Sequence, residues 1–164
     1  MVRKVFFSFH YKPDCWRVSQ VRNIGAIDGN KPATDNDWET IVRGGDEDIK
    51  KWIKSQIQGC SCLVILIGKE TANRKWINHE IVEAWKAGLG VVGIYIHGLK
   101  NQGAETTILG ANPFDYISFT NGNKLSSVAK CYNPSGSNSQ EIYEWISKYI
   151  SDAIEEAINI RNKN

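Results

Sequence analysis

The 164-residue sequence predicts an α/β fold, with a central, mostly parallel sheet covered by helices on both faces. Three observations carry the prediction. The apolar runs "KVFFSF" (4–9), "CLVILIG" (62–68) and "VVGIYIHG" (91–98) are continuous rather than alternating, as in strands buried on both sides. Segments with helical apolar spacing separate them. Such an alternation builds a parallel sheet, because strands running the same way need a crossover, usually a helix.

Taken in order, the first strand ends at the polar "HYKPD". A helix is expected over 14–25, with Trp16, Val18, Val21 and Ile24 inward and Gly25 as its stop. Residues 26–44 are turn-rich and read as irregular, with a short helix at 38–42. The next helix is the cleanest. Asp46, Glu47 and Asp48 crowd its first turn, where the dipole favours acids, and Ile49, Trp52, Ile53 and Ile57 form its apolar stripe. After the central strand comes "RKWINHEIVEAWKAG" (74–88), whose packing face is Ile77, Ile81, Ala84, Trp85 and Gly88. The Asn-, Gly- and Ser-rich stretch 99–139 offers one strand candidate, "YISF" (116–119), and a loop, "YNPSGSNSQ" (132–140). A long amphipathic helix follows, with Ile142, Trp145, Ile146, Tyr149, Ala153, Ile154, Ala157 and Ile158 at helical spacing. There is no internal repeat and no linker, so residues 1–164 read as one domain.

Composition removes several function classes. The net charge is +2, from 20 basic and 18 acidic side chains mixed along the chain, which is not a nucleic-acid footprint. No apolar run approaches a membrane span, and the greasy run near the N-terminus is too short for a signal-peptide core. A cytoplasmic location is the expectation. Cys15, Cys60, Cys62 and Cys131 lack paired metal-ligand spacing, and His10, His79 and His97 are scattered, so no metal is expected. Two motifs are decoys. "GLGVVG" (88–93) fits the dinucleotide pattern G-x-G-x-x-G, but it follows a helix and enters a strand, the reverse of the order the mechanism needs. Ser8 and His10 lack a G-x-S-x-G elbow, which argues against Ser–His hydrolysis.

The fold itself says where to look for a site. Ligands of open parallel sheets bind outside the carboxyl ends of the strands. Those ends are Ser8 to Tyr11, Gly68 to Lys75 and His97 to Asn101. Trp76 and Glu80, one turn apart, open the helix that leaves the central edge, with Glu80 at the border of the packing stripe. On residue types alone the plainer reading stands, an aromatic cap beside a solvated acid favoured by the helix dipole. Their place at the strand edge makes a site possible.

Several stretches in order, "KVFFSFHY", "LVILIGKETANRKWINHEI" and "GVVGIYIHGLK", resemble the bacterial TIR-like domain family, most closely the TIR-like sensors of Thoeris anti-phage defence. The resemblance runs over nearly the whole chain and implies a flavodoxin-like three-layer sandwich. It implies an enzyme that cleaves NAD⁺ between nicotinamide and ribose and closes the remainder into a cyclic ADP-ribose isomer, with NAD⁺ as substrate and no cofactor. That product would signal to a partner effector that depletes NAD. In the family's W-x-x-x-E pattern, Trp76 and Glu80 fall on the apolar wall and the catalytic acid, while Ser8, Phe9 and His10 fall on nucleotide-lining positions. The family's basic residues after the first strand are replaced here by His10 and Tyr11, with Lys12 one further on. Arg17, Arg22 and Arg43 read as surface charges that could reach phosphates. The resemblance also implies that 26–44 gates or assembles the pocket and that a homo-oligomer can complete it. The alternatives are a non-catalytic protein–protein interaction module and a nucleotide sensor without turnover.

Overall fold

The computed structural model describes residues 3–24, 27–29 and 43–164, with side chains omitted at 27–29. Its elements are β1 (Arg3–Ser8), α1 (Tyr11–Arg22), β2 (Ile27–Gly29), α2 (Asp46–Ile57), β3 (Cys62–Ile67), α3 (Lys75–Lys86), β4 (Gly90–Tyr95), β5 (Cys131–Tyr132) and α4 (Ser139–Asn162). Short 3₁₀ turns cover Pro113–Tyr116 and Leu125–Ser127. The five strands form one sheet in the order β2-β1-β3-β4-β5, and every pairing is parallel.

Alternation along the strands sends successive side chains to opposite faces. On one face Val5, Phe7, Val64, Leu66, Val92 and Ile94 meet α1 and α4. On the other, Phe6, Leu63, Ile65, Ile67 and Val91 meet α2 and α3. All six residues of β3 are buried, so the central strand sees no water on either side. That double coverage is why β1, β3 and β4 read as unbroken apolar runs.

Both predicted helices in the middle of the chain form, with Asp46, Glu47 and Asp48 in the first turn of α2 and Ile49, Ile53 and Ile57 on its buried stripe. Gly88 stops α3 at a φ of 85°, a left-handed conformation glycine adopts without steric penalty. Gly90 and Gly93 have a different cause. A Cβ on Gly90 would lie 2.7 Å from the Ala157 carbonyl carbon of α4, and one on Gly93 would lie 2.7 Å from Ile67 Cδ1. The "GLGVVG" glycines serve a helix stop and tight packing, as their order in the chain anticipates.

Four expectations need correction. The first helix begins at Tyr11 and not at residue 14, and it buries Asp14, Arg17, Val18 and Val21 while Trp16 is 49% exposed. Arg17 is therefore no surface charge. Residues 27–29, within the segment read as irregular, form the edge strand β2; the helix expected at 38–42 falls outside the described residues. "YISF" is not a strand of the sheet: Tyr116 ends a 3₁₀ turn and only Ser118 makes an isolated bridge, to Lys124. The fifth strand is instead the two-residue Cys131–Tyr132 pair on β4.

Candidate active site

The strand order places the switch point between β1 and β3, because the chain leaves β1 toward β2 on one side and returns to place β3 on the other. Ser8 is the last residue of β1 and pairs in register with Ile65 of β3. It shares the face of Phe6, toward α2 and α3. Glu80 sits on the second turn of α3 and is buried with Ile77, Ile81 and Ala84. Across this crevice the buried Ser8 hydroxyl donates a short hydrogen bond to Glu80 Oε2, joining residues 72 apart in the chain.

Burial dominates the electrostatics of that carboxyl. Its pKa is pushed up to about 8, with the Ser8 hydrogen bond acting in the opposite direction. A carboxyl held out of water with one hydroxyl partner resists ionisation. Glu80 is thus no solvated first-turn acid but a buried acid, 9% exposed, at the carboxyl edge of the sheet.

The β3–α3 connection aims the helix. Gly68 N–H donates to Thr71 Oγ1 at 2.8 Å, Arg74 Nε donates to the Glu70 carbonyl at 3.0 Å, and Asn73 takes a φ of 61°. Asn78 Nδ2 closes back on Asn73 Oδ1 at 3.2 Å. Trp76, in the first turn of α3, packs against the core on the α2 and α3 side. Its ring lies under Lys75 Nζ at 4.8 Å and edge-on to His79 at 5.7 Å.

Among the other sequence candidates, Phe9 packs against the opposite core, with its ring centroid 6.2 Å from that of Tyr11. His10 is the residue before α1. Its pKa is lowered, first by burial and then by the charge of Arg74, so the ring is neutral at pH 7. Its Nδ1 is buried without a partner among the described residues. The structure therefore brings Ser8 and Glu80 into direct contact and sets His10 beside the β3–α3 connection. Phe9 turns to the other face.

Sequence reasoning missed a buried network on α1. Arg17, 3% exposed, pairs with Asp14 Oδ1 at 2.9 Å and donates to the carbonyls of Leu99 (2.8 Å), Pro13 (3.0 Å) and Glu105 (2.9 Å). It thereby ties the first helix to the connection that follows β4. Asp14 Oδ2 has no partner among the described residues, and burial raises the carboxyl's pKa against the opposing effect of Arg17. That oxygen abuts Gly68 at the end of β3, where a Cβ would lie only 2.0 Å from it. Gly68→Ala is accordingly expected to destabilise the fold by about 1–3 kcal/mol. Adding Asp14→Ala should recover part of that loss in a double-mutant cycle followed by denaturant unfolding. Simple additivity of the two changes would refute the contact. Further along the same edge lies an open polar cleft of about 510 Å³, lined by His97, Thr107, Asn133, Ser135 and Asn138 among others.

An all-parallel sheet in flavodoxin-like order, with a buried acid facing the β1/β3 switch point, defines the class as a doubly wound domain with a crevice of the nucleotide-binding type. Residues 6–101 match the family described as Thoeris protein ThsB, TIR-like domain, and the chain belongs to that family. It is also 33% identical over 124 residues to the Bacillus cereus (strain MSX-D12) protein named "Putative cyclic ADP-D-ribose synthase ThsB1". That similarity takes in 73% of this chain and 65% of the relative, so the chain spans a little under two thirds of the relative's length. Among the described residues no helix is long and apolar enough to cross a membrane, and no group of His, Cys, Asp or Glu could hold a metal ion.

Proposed function

We infer that this protein cleaves NAD⁺ at the nicotinamide–ribose bond and closes the remaining ADP-ribose into a cyclic isomer. The observation that carries the reading is the buried Glu80 carboxyl, held by Ser8 at the β1/β3 crevice of a Thoeris TIR-like domain. The relative's name, a cyclic ADP-D-ribose synthase, supports the same product class.

The chemistry suits one carboxylate. The C1′–N bond breaks with its electron pair passing to the pyridinium nitrogen, so nicotinamide leaves neutral and no general acid is needed. Glycosidases use two carboxyls because their leaving oxygen must be protonated. Here a single anion stabilises the oxocarbenium-like ribose and accepts its hydroxyls. Glu80 takes that role in its ionised form. The pyridinium ring brings the opposite charge into the crevice, which lowers the carboxyl's pKa and drives off its proton. Trp76 forms an apolar wall and His10 lines the approach, while Ser8 holds the carboxyl from below and Phe9, on the opposite face, takes no part. Excluding water favours capture of the ribosyl cation by an internal hydroxyl, which loses its proton as the ring closes.

In the cell, the cyclic nucleotide produced by this single TIR-like domain acts in the cytoplasm and activates an NAD-depleting partner effector. The test is mass spectrometry of nucleotides from phage-infected cells expressing the parent or Glu80→Gln. The parent should yield a cyclic ADP-ribose isomer and the variant about 10²–10³-fold less. Equal product from both would overturn the assignment of Glu80. No product from either, with defence retained, would favour a non-catalytic interaction module.

A further inference from the structure

The Ser8–Glu80 hydrogen bond links β1 and α3 directly across the crevice. Ser8 is 1% exposed at the end of β1, and Glu80 is buried on α3. A hydroxyl closed off in this way, already spent on a carboxyl, is poorly placed to meet a nucleotide itself. Resting on the NAD⁺-cleaving reading, we propose that Ser8 is a positioning residue, which fixes the rotamer of Glu80 in the empty site and yields that carboxyl to the substrate's ribose hydroxyls on binding.

Two further observations support this. β1 pairs with β3 in register as far as Ser8, opposite Ile65, so Ser8 Oγ projects from a strand and not from a loop. The bond is also the only specific interaction opposing desolvation at Glu80. The titratable or charged residues around it are His10, Tyr11, Lys12 and Asp14 after β1, Lys69, Glu70 and Arg74 before α3, Lys75, His79, Glu83 and Lys86 on α3, and Asp46 of α2, which pairs with Lys75. None of them enters its pKa shift. Ser8 therefore sets how readily the carboxyl ionises as well as where it points.

The test compares the parent with Ser8→Ala and Ser8→Thr, two small changes of which the second keeps the hydroxyl. The carboxyl of Glu80 is followed by ¹³C NMR in full-length protein labelled at glutamate, with Glu80→Gln assigning the resonance. In Ser8→Ala the Glu80 titration should move up by about one pH unit, the size expected for a lost hydrogen bond to a charged acceptor. The pH at which nicotinamide release reaches half its maximum should move with it, and Ser8→Thr should return both toward the parent. An unmoved titration in Ser8→Ala would overturn the proposal, as would a rise in KM for NAD⁺ with an unchanged pH profile, which would make Ser8 a plain substrate contact. The NMR readout needs no turnover. A moved titration in a protein that never releases nicotinamide would support the positioning role and overturn the NAD⁺ reading.

Discussion

Glu80→Gln loses nicotinamide release and becomes more stable than its parent as pH rises. On the proposed reading, the first half follows from removing the anion assigned to the developing ribosyl cation. Deleting one preorganised electrostatic contact slows comparable reactions by about 10²–10³-fold, and an abundant nucleotide makes even that residual rate detectable. The second half follows from linkage. In the folded protein the carboxyl titrates at about 8, against an ordinary value of 4.5. Between those values the unfolded chain releases a proton that the folded chain retains, so stability falls as pH rises through this window and levels off above it. At about 1.4 kcal/mol for each pH unit separating the two values, the loss reaches roughly 5 kcal/mol by pH 9. Gln carries no proton to release and escapes that loss. Melting curves of the two proteins should nearly coincide at pH 4–5 and separate steadily toward pH 9, with the variant higher. Parallel curves across that range would show that Glu80 is ionised in the empty site.

Arg17→Met should be the most damaging single change outside the crevice. It strands Asp14 as a buried carboxyl without its cation and frees the carbonyls of Leu99 and Glu105. Breaking a buried pair from one side costs about 3–5 kcal/mol, whereas replacing both partners with apolar groups is often close to neutral. Arg17→Met alone is thus expected to lower the melting temperature by about 10 °C, and Asp14→Leu/Arg17→Met to recover most of that. Hydrogen exchange should localise the damage. The amide of Thr107, bonded to the His97 carbonyl, and that of Glu105, bonded to Asn101 Oδ1, should lose protection in the single variant. A single variant melting within two degrees of the parent would mean that the network contributes little.

How far these features could be read in advance depended on whether the cause lay nearby in the chain. β1, β3 and β4 were legible because burial on both faces leaves a local apolar signature. β2 and β5 span three and two residues, too short to carry a pattern, and pairing with a neighbour alone makes them strands. "YISF" has strand-forming residues, yet Phe119 N–H donates to the Asn123 carbonyl and Leu125 N–H to the Ile117 carbonyl, which folds the segment back on itself. Trp76 and Glu80 could be located from their spacing and the strand edge. The burial of Glu80 could not, because its partner comes from β1. The same holds for Arg17, two of whose three carbonyl acceptors lie more than eighty residues downstream.

The two faces of the sheet are completed at different times as the chain is made. Ser8 and Glu80 have both been synthesised once α3 emerges, and the last buried residues of their face, Phe114, Leu125 and Ala129, precede α4. The other face waits for α4, whose Ile142, Ile146, Ile150 and Ile154 come after every strand. A nascent chain on the ribosome therefore holds all the residues of the crevice while half of its apolar sheet is still bare, a state prone to aggregation. Since domains generally fold as units, Ser8 and Glu80 can come to rest against each other only after α4 has docked. The contact between the two side chains thus depends on an element that is made after both of them.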